Sequence, residues 1–275
     1  MNEPNNSFNV KESPEVCANG HPKPLVGAQL IIWGNDLFLD FNKVVAFCSK
    51  VRYSFIEAPD IIPDIPADIV NNAVSRYKIP LYAIHVGFPS IETNDNLECT
   101  LKYLNKVKTK VLISSGIAHD PSRNEYDQTA DILNRTGTRC QLEGVQLYYH
   151  TFWWEFLGDE EGHRGIDRLI ENTDASLVKF NLDICWSKAG GLDPCKAMNL
   201  FGDRCDYFHV KDGHLGLSPD HIKWLPLGEG DIDVKSFIRK VIDCGKCCRV
   251  VVEQDEPHIS PKTSEVLCGP ERPLQ

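Results

Sequence analysis

The sequence has no apolar run approaching the ~18 residues that a membrane span needs, which excludes a transmembrane helix. It has no excess of positive charge either. Lysine and arginine total 29 against 39 aspartates and glutamates, and the formal charge of −10 repels phosphate backbones over most of the surface. Nucleic acid is therefore a poor partner. Residues 1–24, rich in Asn, Pro, Ser and Glu, lack the basic start and apolar core of a secretory signal. They read as a flexible leader before a folded domain at 25–275. A disulfide framework is missing too. The eleven cysteines are odd in number, and Cys48, Cys185 and Cys205 sit inside apolar runs, as reduced thiols of a cytoplasmic protein do. Cys244, Cys247 and Cys248 form a CxxCC cluster with no second pair nearby, so small buried thiols are the reading there.

What is present is an alternation. Short β-rich apolar runs alternate with helical patterns, the mark of parallel βαβ architecture. Strands are predicted at Leu25–Trp33, Tyr53–Ala58, Pro80–Phe88, Lys110–Ile117, Gly144–Phe152, Leu177–Trp186, Asp206–Lys211 and Arg249–Glu253. Helices are predicted around Phe41–Val51, Ala67–Tyr77, Asn94–Val107, Arg123–Arg135, Gly165–Asn172, Asp193–Phe201 and Val234–Cys244, with a short one near Lys262–Leu267. Eight strands close a (β/α)₈ barrel, and about 250 residues build one, so a chain of 275 is expected to be a single-domain TIM barrel.

In that architecture chemistry belongs at the C-terminal ends of the strands. Four successive predicted strands end in His150, Asp183, His209 and Glu253. Imidazole with carboxylate suits a divalent ion such as Mn²⁺, Co²⁺, Fe²⁺ or Zn²⁺. Taken singly, such a His is more often a bonded core residue and such an Asp a helix cap; four neighbouring strands at once point to a metal site. Glu57, at the end of the second strand, reads equally as a substrate contact or an ion-pair partner. His85, His119, His163, His214, His221 and His258 read as ordinary histidines.

These segments resemble a known family. Tyr149-His150-Thr151-Phe152-Trp153-Trp154-Glu155-Phe156 is similar to the Tyr-His-Asn-His-Asp-Phe-Glu-Phe signature of the xylose isomerase-like barrels called sugar phosphate isomerases/epimerases. Leu182–Trp186 with Asp193-Pro194, Phe208–Asp212, Leu227–Asp231 and Val252–Asp255 resemble its other segments, in the same order. The resemblance runs from Gly144 to Asp255; Leu25 to Ile117 agrees in pattern only. It implies a divalent metal (Mg²⁺ joins the candidates) held by His150, Asp183, His209 and Glu253. Many relatives have Glu as the strand-five ligand, which leaves Glu155 as the alternative to His150. Phe152 stands where the signature has its second His.

The implied activity is that of an isomerase, epimerase or related dehydratase acting on a keto-sugar or inosose, by α-proton abstraction through a metal-bound enediolate. Glu253 is the first candidate base and Glu155 the second; Lys211 would steady the developing oxyanion. Trp33, Trp153, Trp154 and Trp186 offer apolar faces to a sugar ring. The partner is then a small sugar or cyclitol, with homo-oligomerisation left open. The rivals are a non-catalytic sugar- or partner-binding barrel, favoured by Phe152, and an AP-endonuclease-like repair enzyme, opposed by the negative charge.

Overall fold

Eight apolar runs become one barrel because each strand finds its predecessor as a parallel partner. In the computed structural model, which describes residues 16–17, 20–116, 123–159, 161–255, 258–259 and 266–268, seven strands precede the closing one. They are β1 (Leu25–Gln29), β2 (Phe55–Ala58), β3 (Leu81–Gly87), β4 (Val111–Ser115), β5 (Gln146–His150), β6 (Val178–Asp183) and β7 (Tyr207–Val210). The eighth barrel strand, Arg249–Val252, pairs with both β7 and β1 and closes the ring. The helices at Ala67–Tyr77, Asn94–Val107 and Gly165–Asn172 fall where the sequence predicts them, and the one starting at Arg123 runs on to Leu142. Asp193 and Asp233 cap the helices that follow them, accepting from Lys196 N and Ser236 N at 3.0 Å each.

Side chains alternate along a strand, so one face of each strand turns to the helices and the other to the lumen. The outward set, including Ile56, Ile84, Leu112, Leu147, Phe180 and Phe208, packs under the helices in one large core. The lumen is filled by a smaller cluster: Phe55, Ala83, Val111, Ile113, Tyr148, Tyr207 and Val251. Gly27 makes room for it, since a Cβ there would lie 2.3 Å from the Phe55 ring. Advancing two residues from Phe55, Ala83, Tyr148, Tyr207 and Val251 gives Glu57, His85, His150, His209 and Glu253. The period of two thus stacks a polar layer directly on the apolar plug.

Several predicted boundaries are corrected. Strand one stops at Gln29, whose side chain accepts from Ile31 N at 2.8 Å and turns Leu30–Trp33 into a 3₁₀ helix. The segment after β7, where no strand or helix is predicted, holds a hairpin of Asp212–Leu215 with Ile222–Leu225. The Asp212 carboxylate secures the Leu227–Asp231 turn, accepting from the backbone N–H groups of Gly228, Gly230 and Ile232. A Cβ at Gly230 would lie 2.2 Å from Asp212 Oδ1. Val266–Cys268 is a strand paired with His258–Ile259, not the predicted helix; the remainder of that helix, like His119 and most of the leader, lies outside the described residues. The leader's end is held: His21 Nδ1 bonds Ile242 O at 3.0 Å. Cys244 and Cys248 are free thiols with their sulfurs 3.7 Å apart. Among the described residues no helix is long and apolar enough to cross a membrane.

Candidate metal centre

His150 closes β5. Asp183 closes β6 and caps the next helix, Ile184–Ala189, accepting from Trp186 N at 2.9 Å. His209 lies on β7, and Glu253 follows the eighth strand with its N–H still bonded to Val210 O at 3.1 Å. One ligand atom from each lies within 4.8 Å of all the others, and all four side chains are buried.

Buried polar atoms are normally hydrogen-bonded. Here both ring nitrogens of His150, Asp183 Oδ2, His209 Nδ1 and Glu253 Oε2 make no hydrogen bond. They crowd one another instead. His150 Nε2 is 3.6 Å from Asp183 Oδ2, and His209 Nδ1 is 2.5 Å from Glu253 Oε2 without a hydrogen bond's alignment. Leaving the ring nitrogens unmatched costs about 1–3 kcal/mol each, and the two carboxylate oxygens have the Lys211 ammonium beside them but no hydrogen bond. A divalent cation among them removes that cost, and two imidazoles with two carboxylates suit a first-row ion. The donor set fits the group.

The charges around the four side chains act on each differently: burial would lower the His209 imidazole, but Glu57 and Glu253 push it up to about 10, so a cation there displaces a proton. Burial opposes a charged Lys211, yet Asp183, Asp255 and Glu253 outweigh it and hold the ammonium well above its ordinary pKa. Its Nζ is 3.1 Å from Asp183 Oδ2, 3.5 Å from Glu253 Oε2 and 3.0 Å from Asp255 Oδ1. Burial would raise the Glu253 carboxyl, but Lys211 and His209 keep it well below the carboxylate range. Burial pushes the His150 imidazole down to about 4, so its lone pair is free for an ion at neutral pH.

Beside His150 and Glu253 opens a cleft of about 490 Å³, lined also by Gln29, Asp60, His85, Phe152, Lys211 and Asp255 among others. The remaining sequence candidates are not all here. Glu155 is absent from the cluster: it lies in the 3₁₀ turn Trp154–Phe156, fully buried, where its oxygens accept from Tyr149 Oη at 2.6 Å and Phe152 N at 2.7 Å. That turn folds the carboxylate back against the outward-facing Tyr149, away from the four clustered side chains. Glu57 is fully buried beneath the cleft and hydrogen-bonds His209 Nε2 at 3.1 Å, so of its two readings the ion-pair partner is the one observed. Trp33 packs edge-on against Phe47, ring centroids 5.9 Å apart, because the strand ended at Gln29. Trp154 and Trp186 stand behind Phe152, with ring centroids at 4.5 and 5.7 Å, and Phe152 itself presents the aromatic face to the cleft.

Sequence reasoning passed over His85, Asp60, Gln29 and Asp255. His85 had a signal: it shares the lumen face of β3 with Ala83 and stands two residues above it. Its ring centroid is 4.8 Å from that of His150. Glu155 carries a stability consequence of its own. Burial pushes its carboxyl up to about 7 despite the donors that lower it. Between the unfolded value near 4.5 and 7 the folded state holds a proton that the unfolded chain releases. Stability from this group is full below 4.5 and is lost as pH rises through 7. A Glu155→Gln variant is expected to flatten that part of the Tm-versus-pH curve; an unchanged slope refutes the assignment.

Residues 53–268 match the family described as the xylose isomerase-like TIM barrel. Among curated proteins, inosose dehydratase of Geobacillus kaustophilus is 35% identical over 89 residues, 32% of this chain and 28% of that protein, so the match spans about a quarter of the relative's length. Among solved structures, a sugar phosphate isomerase/epimerase from Parabacteroides distasonis superposes with a TM-score of 0.72 at 19% identity, covering 90% of this chain and 91% of that one. D-allulose 3-epimerase from Methylomonas sp. superposes with a TM-score of 0.66 at 16% identity, covering 90% and 91%. With its closed eight-stranded parallel barrel and a match over most of its length, the chain belongs to the xylose isomerase-like TIM barrel family.

Proposed function

We propose that the protein is a divalent-metal-dependent enzyme that moves the α-proton of a hydroxy-ketone in a keto-sugar or inosose, as an isomerase, epimerase or dehydratase. The observation that carries this reading is the convergence of buried, unbonded nitrogen and oxygen atoms from His150, Asp183, His209 and Glu253. An ion held by these four supplies Lewis acidity to a substrate carbonyl and its neighbouring hydroxyl. Glu253, ionised and beside the cleft, is the carboxylate placed to take the α-proton. Lys211 Nζ lines the same cleft and donates to the oxygen on which negative charge builds. Phe152 faces the C–H surface of the ring, while Gln29, Asp60 and Asp255 offer polar groups to hydroxyls. The names of the relatives, an inosose dehydratase and a D-allulose 3-epimerase, support the substrate class.

The test is metal analysis of the purified protein, followed by a screen of keto-sugars and inososes for deuterium uptake from D₂O with Mn²⁺, Co²⁺, Zn²⁺, Fe²⁺ or Mg²⁺ added. Uptake at the carbon beside the carbonyl is the expected result. Phe152 favours one second reading, a barrel that binds its sugar without turning it over, because a phenyl ring transfers no proton. Saturable binding with no isotope exchange on any substrate would establish that reading and end the first.

The ligand set separates cleanly from its alternative. His150→Ala is expected to lose bound metal. Glu155→Ala is expected to keep it while losing about 1–3 kcal/mol of stability for each of the two buried donors left unmatched. Metal content by mass spectrometry and urea denaturation read the two effects, and the reverse pattern would return Glu155 to the metal.

A further inference from the structure

Two buried clusters of ligand-type side chains lie against each other and share His209: the four residues above, and Glu57 with His85. Their hydrogen bonding sets them apart. The first is full of unmatched atoms. In the second, Glu57 Oε2 accepts from Tyr207 Oη at 2.7 Å and from His209 Nε2 at 3.1 Å, and Glu57 Oε1 accepts from Gln29 Nε2 at 3.2 Å. His85 Nε2 pairs with Ser115 Oγ at 2.9 Å, and its Nδ1 lies 3.5 Å from Glu57 Oε1. The second cluster is satisfied without an ion, so its place is to support the first.

A chain of donors and acceptors gives that support a direction. It begins at a backbone group whose role cannot be reversed: Ile31 N–H donates to Gln29 Oε1 at 2.8 Å. The Gln29 amide is thereby oriented, and its NH₂ side faces Glu57. Glu57 must then be the acceptor, which an ionised carboxylate always is. It accepts in turn from His209, so Nε2 carries the hydrogen. An imidazole that binds a cation has given up one proton and keeps one N–H and one lone pair; with the hydrogen on Nε2 the lone pair is on Nδ1. Nδ1 is the atom that faces Glu253 and makes no hydrogen bond.

We propose that Glu57 is a positioning residue for the ligand His209: it accepts the Nε2 proton, fixes the tautomer and presents Nδ1 to the ion. Tyr207 and Gln29 hold the carboxylate still while it does so. A carboxylate behind a metal-bound imidazole also makes the ring a stronger donor. The assignment rests on the metal-binding reading and adds to it one residue from β2, outside the half of the barrel that supplies the ligands.

Two measurements test it, with Zn²⁺ as the probe. In ¹⁵N-histidine-labelled wild-type protein loaded with Zn²⁺, long-range ¹H–¹⁵N spectra are expected to show His209, assigned by its loss in His209→Asn, protonated at Nε2 and metal-shifted at Nδ1. In Glu57→Gln, Zn²⁺ affinity by chelator competition is expected to fall by about 10–100-fold, with the far-UV circular dichroism retained. The wild-type spectrum decides the matter even where the variant fails to fold. Zinc on Nε2, or Glu57→Gln with wild-type affinity and only a lowered Tm, overturns the positioning role and leaves the metal site standing. Wild-type protein that takes up no Zn²⁺ overturns both.

Discussion

Glu253→Gln is expected to slow exchange of a substrate's α-proton with solvent by about 10²-fold or more while metal is retained, more weakly. Glutamine keeps the side chain's size and one coordinating oxygen but has no basic carboxylate. In the wild type the basicity of Glu253 is already reduced, because Lys211 and His209 stabilise its charge. A weak base is adequate only where the substrate proton is acidified, and a carbonyl polarised in the same site provides that. Substitution removes the base and leaves that polarisation in place, since glutamine's amide is a negligible base at neutral pH. The measurement is loss of deuterium label at the α-carbon under single-turnover conditions, with metal content checked in the same sample. Exchange at the wild-type rate with metal bound would remove Glu253 as the base. Glu155, buried behind β5 in its own hydrogen bonds, does not stand in reserve.

The second large effect is expected at Lys211. Its ammonium is 1% exposed and lies among three carboxylates, with the Trp186 and Trp224 rings at 5.0 and 5.5 Å. Lys211→Met keeps a long apolar side chain between those rings but leaves Asp183, Glu253 and Asp255 facing one another without their cation. Breaking a buried ion pair by removing one partner costs about 3–5 kcal/mol. The metal-free protein should therefore unfold roughly 10 °C lower, by differential scanning calorimetry in chelator. The same variant should gain more from added Zn²⁺ than the wild type does, because the ion then supplies the missing positive charge. A metal-free Tm equal to wild type would show that the carboxylates do not depend on Lys211. Its turnover should fall as well, since no other ammonium or guanidinium lines the cleft among the described residues.

The barrel was legible in the sequence because parallel strands buried on both faces read as apolar runs, as Val250-Val251-Val252 does. The four clustered donors were legible for a related reason. Each is an ionisable residue at the end of such a run, and local pattern alone marks the place. What stayed hidden depended on contacts across the lumen or on a single side chain. Gln29 ended its strand by capping Ile31, and that one hydrogen bond carried Trp33 away from the cleft to Phe47. Glu155 looked like a rim carboxylate because nothing local reveals that the next turn is 3₁₀ and folds it back onto Tyr149. Glu57 was read without its partner, which stands on a distant strand. The Asp212 hairpin was too short, at four residues a side, to rise above a loop.

The contact between Glu57 and His209 joins positions 152 apart in the chain. All four clustered donors come from the C-terminal half-barrel, yet the group proposed to orient one of them arrives with the N-terminal half. A C-terminal half alone would carry a complete set of donors and an imidazole free to turn. The loop that brings Glu57 to His209 is a long one, and its entropy is met only by the ring as a whole. Tight uptake of the proposed ion would then be a property acquired at closure. Such an ion would report that the two halves have met, and its binding energy would be returned to the cooperative unfolding of the entire barrel instead of to one rim.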